Sequence, residues 1–377
     1  MNIGFDAKRA YINRSGLGNY SRNLIRTLID FYPENKYTAF TPLAESTSFN
    51  SYLNSHKNVT IIKPRETMLS ALHPLWRSIL IPRNFSKIDL DIYHGLSAEL
   101  PVSFIGKKVK KVVTIHDLIF LRFPELYPKV DATIYNNKAK SACKKADVVV
   151  AISEQTKSDL IEFYKVPENK IKVEYQTCDP IFYSPFNDED KKDIKEIYNL
   201  PSEYILFVGT IEERKNLLFL LQAIKNIEYF KKIPLVVVGK RKKHFDEVHA
   251  FVSQNNMSRQ VIFLDNIPNH LLPAFYQLAT LFVYPSIFEG FGIPIIEAAF
   301  SKVPVITSTN SCFEEAGGPD TLYINPQKVD ELSDAIIRVF SDSELRNNMV
   351  EKTYQFVQQF KNDATAASMI KLYKSLL

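Results

Sequence analysis

Apolar positions along this chain fall into short runs, each followed by a stretch with helical spacing. NIGFDA, KKVVTI, ADVVVA, EYILFV, IPLVVV, VIFL and LATLFV each read as a short buried strand. Between them, RSGLGNYSRNLIRTLIDFYP places Leu24, Ile25, Leu28, Ile29 and Tyr32 at helical spacing, and NLLFLLQAI does the same with Leu217, Leu220, Leu221 and Ile224. Strand-then-helix alternation in both halves predicts an α/β protein with two doubly wound, Rossmann-like parallel sheets facing across a cleft. A length of 377 residues agrees with two domains, because one hydrophobic core seldom serves so long a chain. Periodicity fades and prolines gather in VEYQTCDPIFYSPF, before a charged helix DEDKKDIKEIY. The expected division is therefore 1–178, a linker 179–200, a second domain 201–355, and closing helices.

One stretch, YPSIFEGFGIPIIEA at 284–298, concentrates candidate chemistry. LATLFVYPS leads in as a strand, Pro294 suits a first helical position, and Glu297 then falls in the first turn. Gly290 and Gly292 have no side chains to obstruct a ligand, so the amides of Gly290, Phe291, Gly292 and Ile293 can approach an anion or a sugar hydroxyl. Glu289 and Glu297 bracket the loop, and a carboxylate can grip vicinal hydroxyls on two oxygens. The competing reading is a glycine-kinked loop capping an ordinary helix. Three other strand ends carry similar possibilities. Gly16 and Gly18 precede a helix, where an anion can be received. His116-Asp117 closes a strand at the edge of a ligand crevice, where a lone histidine is more often structural. Arg214 and Lys215 follow EYILFVGT, with Asn216 as a possible helix cap, and two fixed cations can stabilise a departing diphosphate.

Charge is uneven. Residues 1–178 hold 26 Lys+Arg against 17 Asp+Glu, net +9, and the remainder holds 21 against 25, net −4. The basic half suits anionic head groups or an acidic acceptor; no aromatic and basic nucleic-acid motif accompanies it, so nucleic acid is not an expected partner. KPRETMLSALHPLWRSILIPRNFSK at 63–87 is the candidate for peripheral contact with an anionic membrane, through Leu72, Leu75, Trp76, Ile79, Leu80 and Ile81 with Arg77, Arg83 and Lys87. A core-facing helix is the alternative. No apolar run reaches the roughly 18 residues that span a bilayer, and no signal peptide is visible, so a cytoplasmic protein is expected. Cys143, Cys178 and Cys312 are scattered, which argues for a reducing compartment and buried thiols.

The string Glu289-x7-Glu297 around GFGIP, with PS before and PI-EA after, resembles the signature of the retaining glycosyltransferases of family 4, which have the GT-B architecture. GT-x3-RK-N over Gly209, Thr210, Arg214, Lys215 and Asn216 is similar to the family's diphosphate-binding turn, and TIHDLIF around His116 resembles its mannosyltransferase-like members. The resemblance implies transfer of a hexose, with mannose from GDP-mannose as the best match, to a glycan or lipid-linked acceptor in surface polysaccharide or lipopolysaccharide assembly. It implies a donor diphosphate bordered by the Gly16/Gly18 loop, Arg214/Lys215 and the Gly290–Ile293 amides, with Gly239 at the next strand end. Glu297 would hold the ribose, Glu289 the sugar hydroxyls, and His116 would approach the transferred sugar. It further implies same-face substitution with no enzymatic nucleophile, a nucleotide-sugar co-substrate and no metal, so the Asp89-Leu90-Asp91 imitation of a DxD motif is discounted. The last helix, within 356–377, is expected to pack back on the first domain. Asp265 and Lys302 depart from the family pattern at places usually held by glycine. Two rivals stand beside this reading: a hydrolysing sugar-nucleotide epimerase, and a catalytically silent glycan- or partner-binding scaffold.

Overall fold

The computed structural model describes residues 1–13, 16–42, 48–64, 76–77, 81, 88–102, 109–227 and 233–377. It comprises two compact units, Met1–Thr177 together with Asn362–Leu377, and Cys178–Lys361.

The first unit is built on a parallel sheet of β1 (Asn2–Asp6), β2 (Lys36–Phe40), β3 (Val59–Ile62), β4 (Ile92–Gly95), β5 (Lys110–Ile115), β6 (Val148–Ala151) and β7 (Ile171–Val173). Its order is β3-β2-β1-β4-β5-β6-β7. The central strands are buried on both faces, which is why they read as unbroken apolar runs. Helix Gly16–Phe31 turns Leu24, Ile25, Leu28 and Ile29 onto the sheet. Helix Asn362–Lys374 inserts Ala366, Met369, Ile370 and Tyr373 into the same core. A buried polar chain fastens it there. Tyr373 Oη and His94 Nδ1 are 2.6 Å apart, His94 Nε2 and Thr114 Oγ1 are 2.8 Å apart, and Thr114 Oγ1 also meets Tyr20 Oη at 3.0 Å.

Much of the 63–87 segment, including Leu72, Leu75, Ile79, Leu80, Arg83 and Lys87, lies outside the described residues. Where it is described, it turns inward. Trp76 and Ile81 are buried with Phe40, Leu90 and Tyr93, and the Arg77 guanidinium pairs with Asp6 at 3.0 Å and with Glu99. Those two apolar residues therefore favour the core-facing alternative over membrane contact. In the Asp89–Asp91 motif, Asp91 Oδ2 accepts the Asn2 amide at 2.7 Å, a role at a strand start.

The second unit repeats the plan with β8 (Ile205–Val208), β9 (Leu235–Val238), β10 (Val261–Leu264), β11 (Leu281–Tyr284), β12 (Val305–Ser308) and β13 (Leu322–Ile324), ordered β10-β9-β8-β11-β12-β13 and parallel throughout. Leu217, Leu220, Leu221 and Ile224 of helix Leu217–Asn226 are buried against this sheet. The expected linker is instead structural: residues 179–200 belong to this unit. Asn187 caps helix Asp188–Ile197 by accepting the Asp190 amide at 2.7 Å, Phe182 meets Tyr276 edge-on at 5.7 Å, and Tyr198 meets Phe275 at 5.1 Å. Its charged helix buries Ile194 alone, so periodicity gave little sign of the packing. Lys302 has φ +58°, a left-handed conformation that accounts for glycine being usual there, and its ammonium lies 4.9 Å from the Tyr354 ring centre.

Candidate functional site

In each sheet, strand order reverses beside the first strand of the unit, at β8/β11 in the second. Crevices outside the carboxyl ends of such strands receive ligands in open α/β folds. Arg214 and Lys215 follow β8, and Glu289 follows β11, so both loops open at that place. They meet on one atom. Glu289 Oε1 lies 2.6 Å from Arg214 Nη1 and 2.6 Å from Lys215 Nζ, and accepts Ser286 Oγ at 2.5 Å. Lys215 also donates to Tyr284 Oη at 2.5 Å. Arg214 Nη2 donates to Glu212 Oε1 at 2.8 Å, and Lys242 reaches the other oxygen of Glu212 at 2.8 Å.

The backbone fixes this cluster from several sides. The Ile287 amide donates to the Arg214 carbonyl at 2.9 Å, stitching the β8 and β11 loops together. Asn310 and Ser311 are successive left-handed residues after β12, and the turn lets Ser311 Oγ accept the Glu289 amide at 3.2 Å and meet the Glu289 carbonyl at 3.0 Å. Cys312 Sγ donates to the carbonyls of Glu289 and Phe291 at 3.2 and 2.9 Å. Gly239 closes β9 where a Cβ would stand 1.8 Å from the Gly209 carbonyl oxygen, so only glycine lets those two strand ends meet. Thr210 is half-buried beside Gly209.

Electrostatics follow from the burial. Removal from water would raise the Glu289 carboxyl, but Lys215 and Arg214 outweigh it and hold the group down at about 2. Burial lowers the Lys215 ammonium, with Glu289 opposing and Arg214 adding to the effect. Two cations and one ionised carboxylate thus share a nearly dry loop junction, with donors already oriented for an anion.

Residues 14–180 match the family described as glycosyltransferase family 4, and residues 188–356 match glycosyl transferases group 1. The chain belongs to glycosyltransferase family 4. It is 26% identical, over the full length of both chains, to O-antigen chain mannosyltransferase B of Escherichia coli. It is 29% identical to O-antigen chain mannosyltransferase RfbU of Salmonella typhimurium over 60% of this chain and 63% of that protein. Among solved structures, a glycosyltransferase from Rickettsia africae superposes with TM-score 0.77 at 18% identity over 100% of this chain and 98% of that one. Anabaena Alr3699/HepE, in complex with UDP and glucose, gives TM-score 0.78 at 17% identity over both chains entire. These likenesses show the same fold.

Within the glycosyltransferase, the remaining expected residues separate. Helix Ile293–Phe300 begins one residue earlier than Pro294, after Gly292 at φ +108°, so Glu297 stands in the second turn and not the first. Glu297 Oε2 accepts Tyr276 Oη at 3.0 Å, and Glu297 is not among the hydrogen-bond partners of Glu289. Burial raises its carboxyl to about 7, the Tyr276 hydrogen bond opposing and Asp179 adding. Asn216 sits at the start of its helix at φ +58° without capping it; its amide donates to the Pro326 carbonyl at 3.1 Å.

Gly16, Gly18 and His116 belong to the first unit. Gly16 and Gly18 do not precede helix Gly16–Phe31 but stand in its first turn, where Gly18 packs against the Asn13 carbonyl. His116 has both ring nitrogens engaged, Nε2 with the Leu96 carbonyl at 2.9 Å and Nδ1 with Gln176 Nε2 at 2.9 Å. The carbonyl assigns the proton to Nε2 and leaves Nδ1 as the acceptor from Gln176. Burial lowers its pKa to about 4. A neutral ring with both nitrogens bound is a positioning group here, not a proton carrier. Asp117 Oδ1 accepts the Ile119 amide at 3.1 Å and so shapes the same turn. Sequence reasoning passed over Ser286, Glu212 and Tyr276, although Ser286 and Glu212 adjoin the motifs; Tyr276, in a separate helix, left no local signal.

Proposed function

We propose that this family 4 transferase is a mannosyltransferase, moving mannose from GDP-mannose with retention of configuration to a growing glycan in O-antigen assembly. The observation that supports it most is the convergence of Arg214, Lys215 and Ser286 on Glu289 at the strand-order reversal, in a chain aligned end to end with an O-antigen chain mannosyltransferase. In this reading the bond from the sugar anomeric carbon to the β-phosphate oxygen breaks, the acceptor hydroxyl oxygen bonds to that carbon on the same face, and the hydroxyl proton passes to the departing phosphate. Negative charge grows on the diphosphate as the bond lengthens. Arg214 and Lys215 stabilise that charge more than the ground state. Glu289 orients both cations and offers an acceptor to sugar hydroxyls, while Glu297 and the Gly290–Ile293 amides hold the ribose and the phosphates. The glycosyl oxocarbenium character needs no enzyme carboxylate placed for covalent capture.

Among the described residues, no helix is long and apolar enough to cross a membrane. The +9 balance of residues 1–178 favours approach to anionic head groups where a lipid-linked acceptor would lie.

The test is incubation with GDP-mannose, UDP-glucose or ADP-glucose and a mannose-terminated oligosaccharide, read by mass and by the anomeric NMR signal. A single hexose added from GDP-mannose, in the donor's own configuration, is expected. Transfer from UDP-glucose in preference would overturn the donor assignment, and free mannose without an acceptor product would indicate hydrolysis instead.

A further inference from the structure

The first unit carries a hollow on the side of its sheet away from the strand carboxyl ends. Helix Lys129–Lys145 leads from β5 to β6 and helix Glu154–Tyr164 from β6 to β7, so in this parallel sheet both helices finish at the amino ends of the strands. By those two ends lies a pocket of about 280 Å³, lined by Lys140, Lys144, Lys165 and Lys170 together with Cys143 and Tyr164. Lys140 and Lys144 stand one helical turn apart on one face. Lys165 ends its helix at φ +54°, a left-handed conformation that glycine or asparagine usually takes, and Lys170 sits in the turn before β7.

Four ammonium groups exceed what the local structure uses. Each helix end presents about half a negative charge, and Lys170 answers one of them by donating to the Lys144 carbonyl at 3.2 Å. The carboxylates nearest in sequence are committed to other lysines, Asp147 to Lys111 at 3.4 Å and Glu168 to Lys157 at 2.9 Å. No carboxylate among the described residues pairs with Lys140, Lys144 or Lys165. Two half charges against these four lysines leave about three positive charges around the hollow. Part of the +9 balance of residues 1–178 is thus gathered at one place. The pocket's other groups add no anion. Burial pushes the Cys143 thiol up to about 12 and keeps it protonated, and Tyr164 Oη donates to the Asn136 carbonyl at 3.4 Å. Burial also lowers the Lys170 ammonium, with Lys111 adding and Cys143 and Asp147 opposing, so an incoming anion relieves it.

Uncompensated ammonium groups around a concave space suit a compact anion whose oxygens accept from several donors at once. We propose that this pocket binds a phosphoryl group, held by Lys140, Lys144, Lys165 and Lys170. The volume admits the phosphate with part of the group that bears it, whether a soluble phosphate monoester or a phospholipid head group. The site stands apart from the transferase reading, because its residues belong to the amino ends of the strands and not to the carboxyl-end crevices.

The experiment titrates the whole protein with glycerol 3-phosphate by isothermal calorimetry, and measures its sedimentation with vesicles of phosphatidylglycerol and phosphatidylcholine. Lys144→Gln/Lys165→Gln removes two exposed charges from the pocket, and Lys36→Gln/Lys57→Gln removes two exposed charges elsewhere on the same unit. The first pair should weaken glycerol 3-phosphate binding about tenfold or more, the loss of one charge-assisted contact, and the second pair should bind as wild type does. The same pattern seen with vesicles alone would uphold the phosphoryl site and make a lipid its occupant. Equal losses in the two variants would reduce the effect to general surface charge and overturn the proposal. Unchanged binding in Lys144→Gln/Lys165→Gln, or no binding of glycerol 3-phosphate or vesicles by wild type, would overturn it as well.

Discussion

Two strand-end regions with the same topology have been given opposite chemistry. At β8/β11, cations and carboxylates are locked to one another, and Glu289 alone meets Arg214, Lys215 and Ser286. At β1/β4, the corresponding region is a cavity lined by Phe120, Tyr127 and Tyr135, with a neutral histidine whose ring nitrogens are both engaged. Sheet topology dictates where a ligand can be received, and the loops alone choose its charge. Fixed positive charge in a dry place suits an anion, whereas the tilted aromatic rings and neutral imidazole of the first unit's cavity carry no such charge.

The contrast can be broken first at its charged end. Lys215→Ala should lower kcat by about two to three orders of magnitude, the scale of a lost transition-state charge contact. Turnover at saturating donor measures it, and a rate within a factor of two of wild type would remove Lys215 from the chemistry. Glu289→Gln should destabilise the second unit by about 3 kcal/mol, because two buried cations lose their shared counter-charge. Urea denaturation followed by circular dichroism checks this, and the first unit is separately visible through the single tryptophan, Trp76, which is buried there.

Acidity should separate the two regions further. Burial lowers His94 to about 3, far below its ordinary 6.5. The unfolded chain therefore binds a proton that the folded unit refuses, and His94 contributes stability present above pH 6.5 and lost as pH falls, by about 3 kcal/mol near pH 4. His116, lowered to about 4, acts in the same direction. Trp76 fluorescence across pH 4 to 7 should report a fall in the first unit's denaturation midpoint, and a His94→Gln variant should show a flatter profile.

Glu297 behaves the other way. Its folded value of about 7 stands above the ordinary 4.5, so its protonated form favours folding and that contribution declines as pH rises from 4.5 through 7. Glu297→Gln should abolish this slope, an effect of about 2 kcal/mol between pH 5 and 8, seen as a second-unit melting temperature less sensitive to pH. A slope unchanged by the substitution would mean the carboxyl is already ionised at pH 5.

The alternating strands and helices were legible because both sheets are buried on two faces, which writes them as unbroken apolar runs such as VVVA and LFVY. The Arg214/Lys215 turn and Glu289 were legible as motifs, and their meeting is a consequence of β8 lying beside β11. What sequence could not carry was partnership across distance. Nothing in TIHDLIF shows that Gln176, sixty residues on, occupies the second nitrogen of His116. Nothing in the apolar 63–87 segment distinguishes Trp76 facing a membrane from Trp76 facing Phe40 and Tyr93. Residues 179–200 read as a linker because charged helices with one buried isoleucine have no visible stripe.

The core of the first unit contains Ala366, Met369, Ile370 and Tyr373, which leave the ribosome after all of Cys178–Lys361. During synthesis the second unit can close while the first still exposes the groove awaiting those side chains, reversing the usual order in which amino-terminal domains settle first. A nascent chain paused anywhere before residue 362 would hold His94 without Tyr373, and would offer chaperones an apolar surface that vanishes only with the final helix.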